Sequence, residues 1–254
     1  MRPRKWSASN MARLLISDLH LQDERPDITR ALFHLLDRFQ GQVAALYILG
    51  DLFEVWLGDD VLSETAEAVA KRLAAFSATG SAVYIMHGNR DFLLGPKYAQ
   101  KCGAELLSEP ALIELAGERC LLMHGDSLCT DDQLYMEFRA MVRDPEWQQT
   151  FLSKPVAERV AFGKKARNQS QEDARDKTYE ILDVNQEAVK QVFQDTRVPL
   201  LVHGHTHRPA RHQVNLEDGS QCERIVLGDW HQQGWYLLAD EHSLQLESFE
   251  FPSD

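Results

Sequence analysis

Seven polar residues of this chain share one local setting, each standing just after an apolar run. Asp18 and His20 follow Arg13-Leu14-Leu15-Ile16-Ser17, and Asp51 follows Leu46-Tyr47-Ile48-Leu49 through Gly50. Asn89 follows Ala82-Val83-Tyr84-Ile85-Met86, and His124 follows Cys120-Leu121-Leu122-Met123. His205 and His207 follow Pro199-Leu200-Leu201-Val202 in the stretch His203-Gly204-His205-Thr206-His207. Imidazoles and carboxylates without thiolate suit Mn²⁺, Fe²⁺, Zn²⁺ or Ni²⁺ rather than a structural cysteine-zinc site. In Asp18-x-His20 and His205-x-His207 the two side chains lie two apart at a strand end, which aims them to one side. Taken singly, each of these residues reads as an ordinary polar group; the set carries the reading. Seven groups exceed the three or four of a zinc site. They suit two divalent ions sharing a bridging carboxylate, at a spacing of ~3.5–4 Å that serves hydrolysis of phosphate esters.

The elements that must position these residues follow from the apolar pattern. Short apolar runs bounded by polar or glycine residues read as buried strands. Between the first two lies a helical pattern through Ile28, Leu32, Leu35, Leu36 and Phe39, and a second helix spans roughly residues 64–76. Strand, helix, strand, helix, strand is an α/β layout with the site along the carboxyl edge of a sheet. Later come Arg224-Ile225-Val226-Leu227, Trp235-Tyr236-Leu237-Leu238 and residues 243–251, which read together as strands of a second sheet. Asn185 is placed to cap a helix carrying Ala188, Val189, Val192 and Phe193.

At 254 residues the chain is long enough for one two-layer domain, read as residues 13–254 after a disordered tail at 1–12. The formal net charge of −12 argues against a nucleic-acid binder, including a nuclease, because such affinity rests on neutralising phosphates. Cys102, Cys120, Cys129 and Cys222 have no paired spacing and read as free packing thiols of a reducing compartment. No apolar run approaches the ~18–20 residues that span a bilayer. The expected location is cytoplasmic and the expected state a monomer.

The stretch from about 127 to 178 breaks the rhythm. Leu134, Phe138, Met141 and Val142 form one helical face, and Trp147, Phe151, Phe162 and others continue the apolar content. Arg159, Lys164, Lys165, Arg167 and Arg175 then form a basic cluster in an acidic chain. On pattern alone this is a helical hairpin with a solvated face; an amphipathic insertion beside the site is the alternative.

In order, Asp18-x-His20, Gly50-Asp51, Gly88-Asn89-x-Asp91, His124 and Gly204-His205-x-His207 resemble the calcineurin-like metallophosphoesterase superfamily. The resemblance implies an α/β fold: a sandwich of two β-sheets flanked by helices. It implies one ion held by Asp18, His20, Asp51 and His207, and a second by Asp51, Asn89, His124 and His205. Many members carry His where this chain has Arg90. An arginine cannot act as a general acid but clamps phosphate well, which favours a phosphoanhydride with a good leaving group.

The wording of the blocks, including Met86-His87-Gly88-Asn89-Arg90-Asp91-Phe92-Leu93, Leu122-Met123-His124-Gly125-Asp126-Ser127-Leu128-Cys129-Thr130 and Val226-Leu227-Gly228-Asp229-Trp230, is similar to the UDP-2,3-diacylglucosamine pyrophosphatase family of the lipid A pathway. That resemblance implies cleavage of UDP-2,3-diacylglucosamine to UMP and 2,3-diacylglucosamine 1-phosphate. It implies two Mn²⁺ ions, other divalent ions being possible. No side chain is the nucleophile: a metal-bound hydroxide attacks the α-phosphorus. The insertion becomes a lid with an apolar groove for the acyl chains. Asn89, Arg90, Asp132, Ser170, Lys177 and His205 become substrate contacts, while an asparagine of familiar members is Ala174 here. Peripheral attachment to the cytoplasmic face of the inner membrane follows, with Lys164, Lys165 and Arg167 meeting anionic headgroups. The competing readings are a calcineurin-like phosphodiesterase on a soluble nucleotide and a non-catalytic scaffold.

Overall fold

The computed structural model describes residues 12–176, 181 and 183–253. Of the expected amino-terminal tail only Ala12 is among them, and it opens β1 (Ala12–Ile16). Next come α1 (Pro26–Phe39), β2 (Val43–Leu49), α2 (Glu64–Ser77), β3 (Ala82–Met86), α3 (Pro96–Lys101) and β4 (Glu105–Leu107). The antiparallel hairpin β5 (Ala111–Leu115) and β6 (Glu118–Leu122) leads into three helices: α4 (Gln133–Arg143), α5 (Pro145–Leu152) and α6 (Val156–Asp176). The chain closes with α7 (Gln186–Thr196), β7 (Leu200–His203), β8 (Ala210–Asn215), β9 (Gln221–Val226), β10 (Gln233–Ala239) and β11 (Leu244–Glu250).

Two sheets result, ordered β11-β10-β1-β2-β3-β4 and β5-β6-β7-β9-β8. The central strands are continuously apolar because both their faces are covered. In β2, Leu46 and Ile48 join the core formed with α1 and α2, where Leu32, Leu35, Val69 and Leu73 lie. Ala45, Tyr47 and Leu49 face the opposite way, into the layer between the sheets with Leu122, Val202 and Ile225. A third core sits under α7, where Val189 and Phe193 meet Leu121 and Leu201. As expected, the Asn185 side chain caps α7 by accepting from the Ala188 amide at 2.9 Å, and all four cysteines are free and buried.

The closing strands correct the sequence reading. β9 belongs to the second sheet, but β10 and β11 do not: β10 runs antiparallel to β1, pairing Leu14 with Leu238, and β11 forms the outer edge of the first sheet. β10 thereby covers an edge of β1 that would otherwise expose its backbone hydrogen-bonding groups.

The stretch after β6 is three helices rather than a hairpin. Met141 is 43 % exposed and Val142 is buried, so the expected apolar face is split. Arg159, placed with the solvated basic cluster, is buried, where its guanidinium pairs with Asp60 and donates to the Leu57 carbonyl at 2.5 Å. Arg167 pairs with Glu54 at 3.1 Å, whereas Lys164 and Lys165 are exposed.

Candidate metal and substrate site

Parallel pairing sets the register of the site. Ile16 stands beside Ile48 and Leu49 beside Met86, so the segments carrying Asp18, Asp51 and Asn89 leave one sheet edge side by side. In the other sheet Leu122 stands beside Val202, which brings His124 and His205 to the matching edge. The chain then turns abruptly. Asp18, His20, Asp51, His205 and His207 all have φ between 50° and 66°, a left-handed conformation that Asp and His tolerate better than most residues. Two glycines let the turns close: a Cβ on Gly88 would fall on the Asp51 carboxylate, and one on Gly204 would fall on Asp18.

All seven residues are connected by short contacts. His20 Nε2 lies 3.2 Å from His207 Nε2, and His207 Nε2 lies 3.4 Å from Asp18 Oδ1. The oxygens of Asp51 approach different imidazoles, Oδ2 standing 3.8 Å from His20 Nε2 and Oδ1 3.8 Å from His124 Nε2. Asn89 Oδ1 completes the set, 3.0 Å from His124 Nε2 and 2.9 Å from His205 Nδ1. Among the described residues, two groups that share Asp18 have ligand atoms within 4.8 Å of one another: Asp18, His20 and His207, and Asp18, Asp51 and His124. Imidazole nitrogens this close to each other and to buried carboxylates are a donor set that fits divalent cations, and the split orientation of Asp51 fits a bridge between two.

Surrounding groups fix these donors. The Asp18 oxygens accept from the His205 amide at 3.0 and 3.1 Å, and Oδ2 also accepts from the Ser17 hydroxyl at 2.5 Å. Asp91, fully buried, accepts from the amides of Leu52 and Gly88, each at 2.8 Å. The aspartate of the Gly88-Asn89-x-Asp91 block therefore ties the loops together rather than facing the donor cluster. Glu54 places Oε2 at 3.0 Å from His20 Nδ1.

The electrostatics divide the titratable groups. Burial, with Asp91 and Asp18 nearby, pushes the Asp51 carboxyl up. Asp18 is equally buried, yet the hydrogen bond and charge of His207 hold it well below the usual carboxylate range. Burial and then the charge of His124 lower His205 to about 3. For His124 burial is outweighed by Asp51, Asp126 and Asp18, which raise it to about 9. Glu54, despite burial, is held low by His20, Arg90 and Arg167.

The donor cluster opens into a cavity of about 730 Å³. Its walls combine His20, Asp51, Asn89, Arg90, Asp132 and His205 with Leu57, Phe92, Leu134, Phe138, Phe151 and Phe162. Arg90 thus stands beside the cluster, its own amide donating to Asp51 Oδ1 at 2.8 Å. Asp132 lines the wall and also caps α4 by accepting from the Tyr135 amide at 3.1 Å. Ser170 lies on α6 with its side chain outside the described set, as is that of Ala174; Lys177 is outside the described residues altogether.

Sequence reasoning missed the supports of this wall. Arg139 of α4 donates to Asp126 at 2.9 Å and to Glu109 at 3.1 Å, while the Tyr135 hydroxyl donates to Asp126 at 2.6 Å. Arg143 reaches the Gly88 carbonyl at 3.0 Å. The only local signal was Asp126 itself, two residues beyond His124.

Residues 11–209 match the family model described as calcineurin-like phosphoesterase. The UDP-2,3-diacylglucosamine hydrolase of Stutzerimonas stutzeri (strain A1501) is 48 % identical over 236 residues, covering 93 % of this chain and 98 % of that protein. The protein of the same name from Cellvibrio japonicus (strain Ueda107) is 49 % identical over 240 residues, covering 94 % and 100 %.

Proposed function

The chain belongs to the calcineurin-like phosphoesterase family, and from that premise we propose that it hydrolyses the diphosphate of UDP-2,3-diacylglucosamine to UMP and 2,3-diacylglucosamine 1-phosphate. The observation that carries this reading is the union, in one cavity, of a two-ion donor cluster with an aromatic and aliphatic wall. A phosphoanhydride needs the first and a diacylated sugar the second. The relatives named for this hydrolase cover nearly the whole chain, helical insertion included.

Asp18, His20, Asp51 and His207 would hold one ion, and Asp51, Asn89, His124 and His205 the other, with Mn²⁺ the expected metal. Such a pair supplies Lewis acidity toward phosphoryl oxygens and a nucleophile from water at neutral pH. The chain's own residues do the rest. Asn89 and Arg90 orient the diphosphate, the guanidinium binding two oxygens at once. Asp132 and His205 meet the sugar and phosphate, as do Ser170 and Lys177 from the carboxyl-terminal part of the insertion. The helices α4 to α6 act as a lid over the acyl chains, and their side chains exclude bulk water from the reacting phosphorus.

Among the described residues no helix is long and apolar enough to cross a membrane. Val55 and Leu134 line the cavity yet are 48 % and 67 % exposed, an apolar rim suited to a lipid surface. We propose peripheral attachment to the cytoplasmic face of the inner membrane, with Lys164 and Lys165 facing anionic headgroups. Arg167, the third basic residue of that expectation, pairs with Glu54 at 3.1 Å.

The test is Mn²⁺-dependent release of UMP from UDP-2,3-diacylglucosamine in H₂¹⁸O, beside a His124→Ala control. Labelled UMP, absent in the control, is the expected result. Hydrolysis of an aryl phosphodiester without UMP release would keep the metal centre and discard the lipid substrate.

A further inference from the structure

We propose that Glu54 is a positioning residue that sets the His20 imidazole for its metal ion and links that ion's site to the lid helix α6 through Arg167. The inference rests on the two-metal reading above and adds to it an outer carboxylate that is shared between the cluster and the lid.

Glu54 is held in place by the same backbone that holds His20. The His20 amide donates to the Asp51 carbonyl at 3.0 Å, the Leu21 amide to the Leu52 carbonyl at 3.0 Å, and the Glu54 amide back to the Leu21 carbonyl at 3.2 Å. This short ladder fixes the two segments against each other, and the Glu54 carboxylate lies between His20 and Arg167. Its Oε2 stands 3.0 Å from His20 Nδ1, an ion-pair approach that is not aligned as a linear hydrogen bond. Nε2 is the ring nitrogen that faces Asp51 and His207. A carboxylate beside the opposite nitrogen orients the ring, so that Nε2 stays turned toward the donors of its ion.

The other oxygen of Glu54 belongs to the lid. Oε1 lies 3.1 Å from Arg167 Nε. Arg159, Gly163 and Arg167 are spaced four apart and therefore share one face of α6. That face seats on the segment that follows Asp51. Arg159 is buried against Asp60 and the Leu57 carbonyl, a Cβ on Gly163 would stand 3.0 Å from Leu57, and Arg167 closes the row on Glu54. The seat of the lid and the support of His20 are thus two sides of one carboxylate. A lid displaced from its seat takes Arg167 away from Glu54 and leaves it with His20 and the charge of Arg90.

The experiment follows Mn²⁺ binding to metal-free wild type, Glu54→Ala and Arg167→Met by titration calorimetry. Low-temperature electron paramagnetic resonance runs alongside, because two neighbouring Mn²⁺ ions give an exchange-coupled spectrum. Removing an outer partner of a ligating histidine weakens metal binding roughly 10–100-fold. The expected result for Glu54→Ala is a loss of that size for one of the two ions, with the other unchanged. The coupled spectrum and kcat should then both return at correspondingly higher Mn²⁺. Arg167→Met, a change at a half-exposed side chain that spares the fold, should shift the same ion in the same direction by a few-fold. Two ions bound with wild-type affinity in Glu54→Ala, or an equal weakening of both together with a lower melting temperature, would overturn the positioning role. Wild-type affinity in Arg167→Met would overturn the link to the lid. A wild-type protein that binds no pair of ions would instead remove the two-metal reading itself.

Discussion

The main-chain carbonyl of Leu49 accepts the Nδ1 proton of His124 at 2.9 Å. This contact orients the ring and directs Nε2 at Asn89 Oδ1 and Asp51 Oδ1. It also joins the two halves of the site, because Leu49 ends a strand of the first sheet while His124 follows one of the second. His124→Ala removes a donor and leaves the Leu49 carbonyl without its partner. The expected outcome is a fall in kcat/KM of more than about 100-fold, beyond the effect of losing an outer partner. Metal titration of the same variant should show one tight ion instead of two.

Arg90 gives a separable prediction. It stands at the cavity wall beside Asn89 and the cluster. A guanidinium binds two phosphoryl oxygens in fixed geometry, whereas a lysine offers only a point charge. Arg90→Lys should therefore lower kcat/KM for the diphosphate substrate by roughly tenfold, and Arg90→Ala by roughly 100-fold, in line with loss of one charged hydrogen-bonding group. Mn²⁺ stoichiometry, read by calorimetry, should stay at two in both.

The aromatic wall predicts discrimination between substrates. Phe138 of α4 and Phe162 of α6 face the same cavity. Burying an apolar chain against such a side chain contributes about 1.5–3 kcal/mol. Replacing either by Asp should raise KM for the diacylated substrate at least tenfold. Turnover of a deacylated UDP-sugar, if assayed at high concentration, should hardly change. Equal losses on both substrates would show that the helices support the metal centre rather than the acyl chains.

Anchoring of those helices is testable through stability. Asp126 is fully buried, and despite burial His124, His205 and Arg139 hold its carboxyl well below the usual range. Arg139→Met would leave Asp126 without its 2.9 Å guanidinium contact and Glu109 without its 3.1 Å one. Breaking such a buried pair from one side costs on the order of 3 kcal/mol. Chemical denaturation should report a loss of that order, whereas substituting exposed Lys164 should leave stability within about 0.5 kcal/mol.

What the sequence disclosed, and what it hid, follows from where each interaction is closed. β1, β2, β3 and β7 are legible because burial on both faces makes them continuously apolar, and their polar terminal neighbours mark the site. β4, β5 and β8 carry no such run: β5 and β8 alternate half-buried and exposed positions at sheet edges. β10 and β11 are visible as strands, but nothing in their residues says that β10 pairs with β1 rather than with its neighbour in sequence. The same limit hides Glu54 and Arg159. Each is an ordinary charged residue until the fold brings Arg167 to one and Asp60 to the other.

Acid stability should be set in part by His203, which ends β7 and is fully buried. Its Nδ1 donates to the Gly204 carbonyl at 2.8 Å, so Nε2 accepts from Arg224 Nη1 at 3.1 Å. Protonating Nε2 would abolish that acceptor and place two buried cations face to face. Burial first, and the Arg224 charge second, accordingly lower this imidazole to about 4. An unfolded chain returns it to ~6.5, so below that pH the unfolded state binds the extra proton. The stabilising contribution is complete above pH ~6.5, declines as the pH falls toward 4, and is fully lost below it. The difference amounts to on the order of 3 kcal/mol. Unfolding free energies of metal-free wild type and His203→Gln, measured by denaturant titration from pH 4 to 8, should converge as the pH falls. Parallel curves across that window would show that His203 does not change its charge on unfolding.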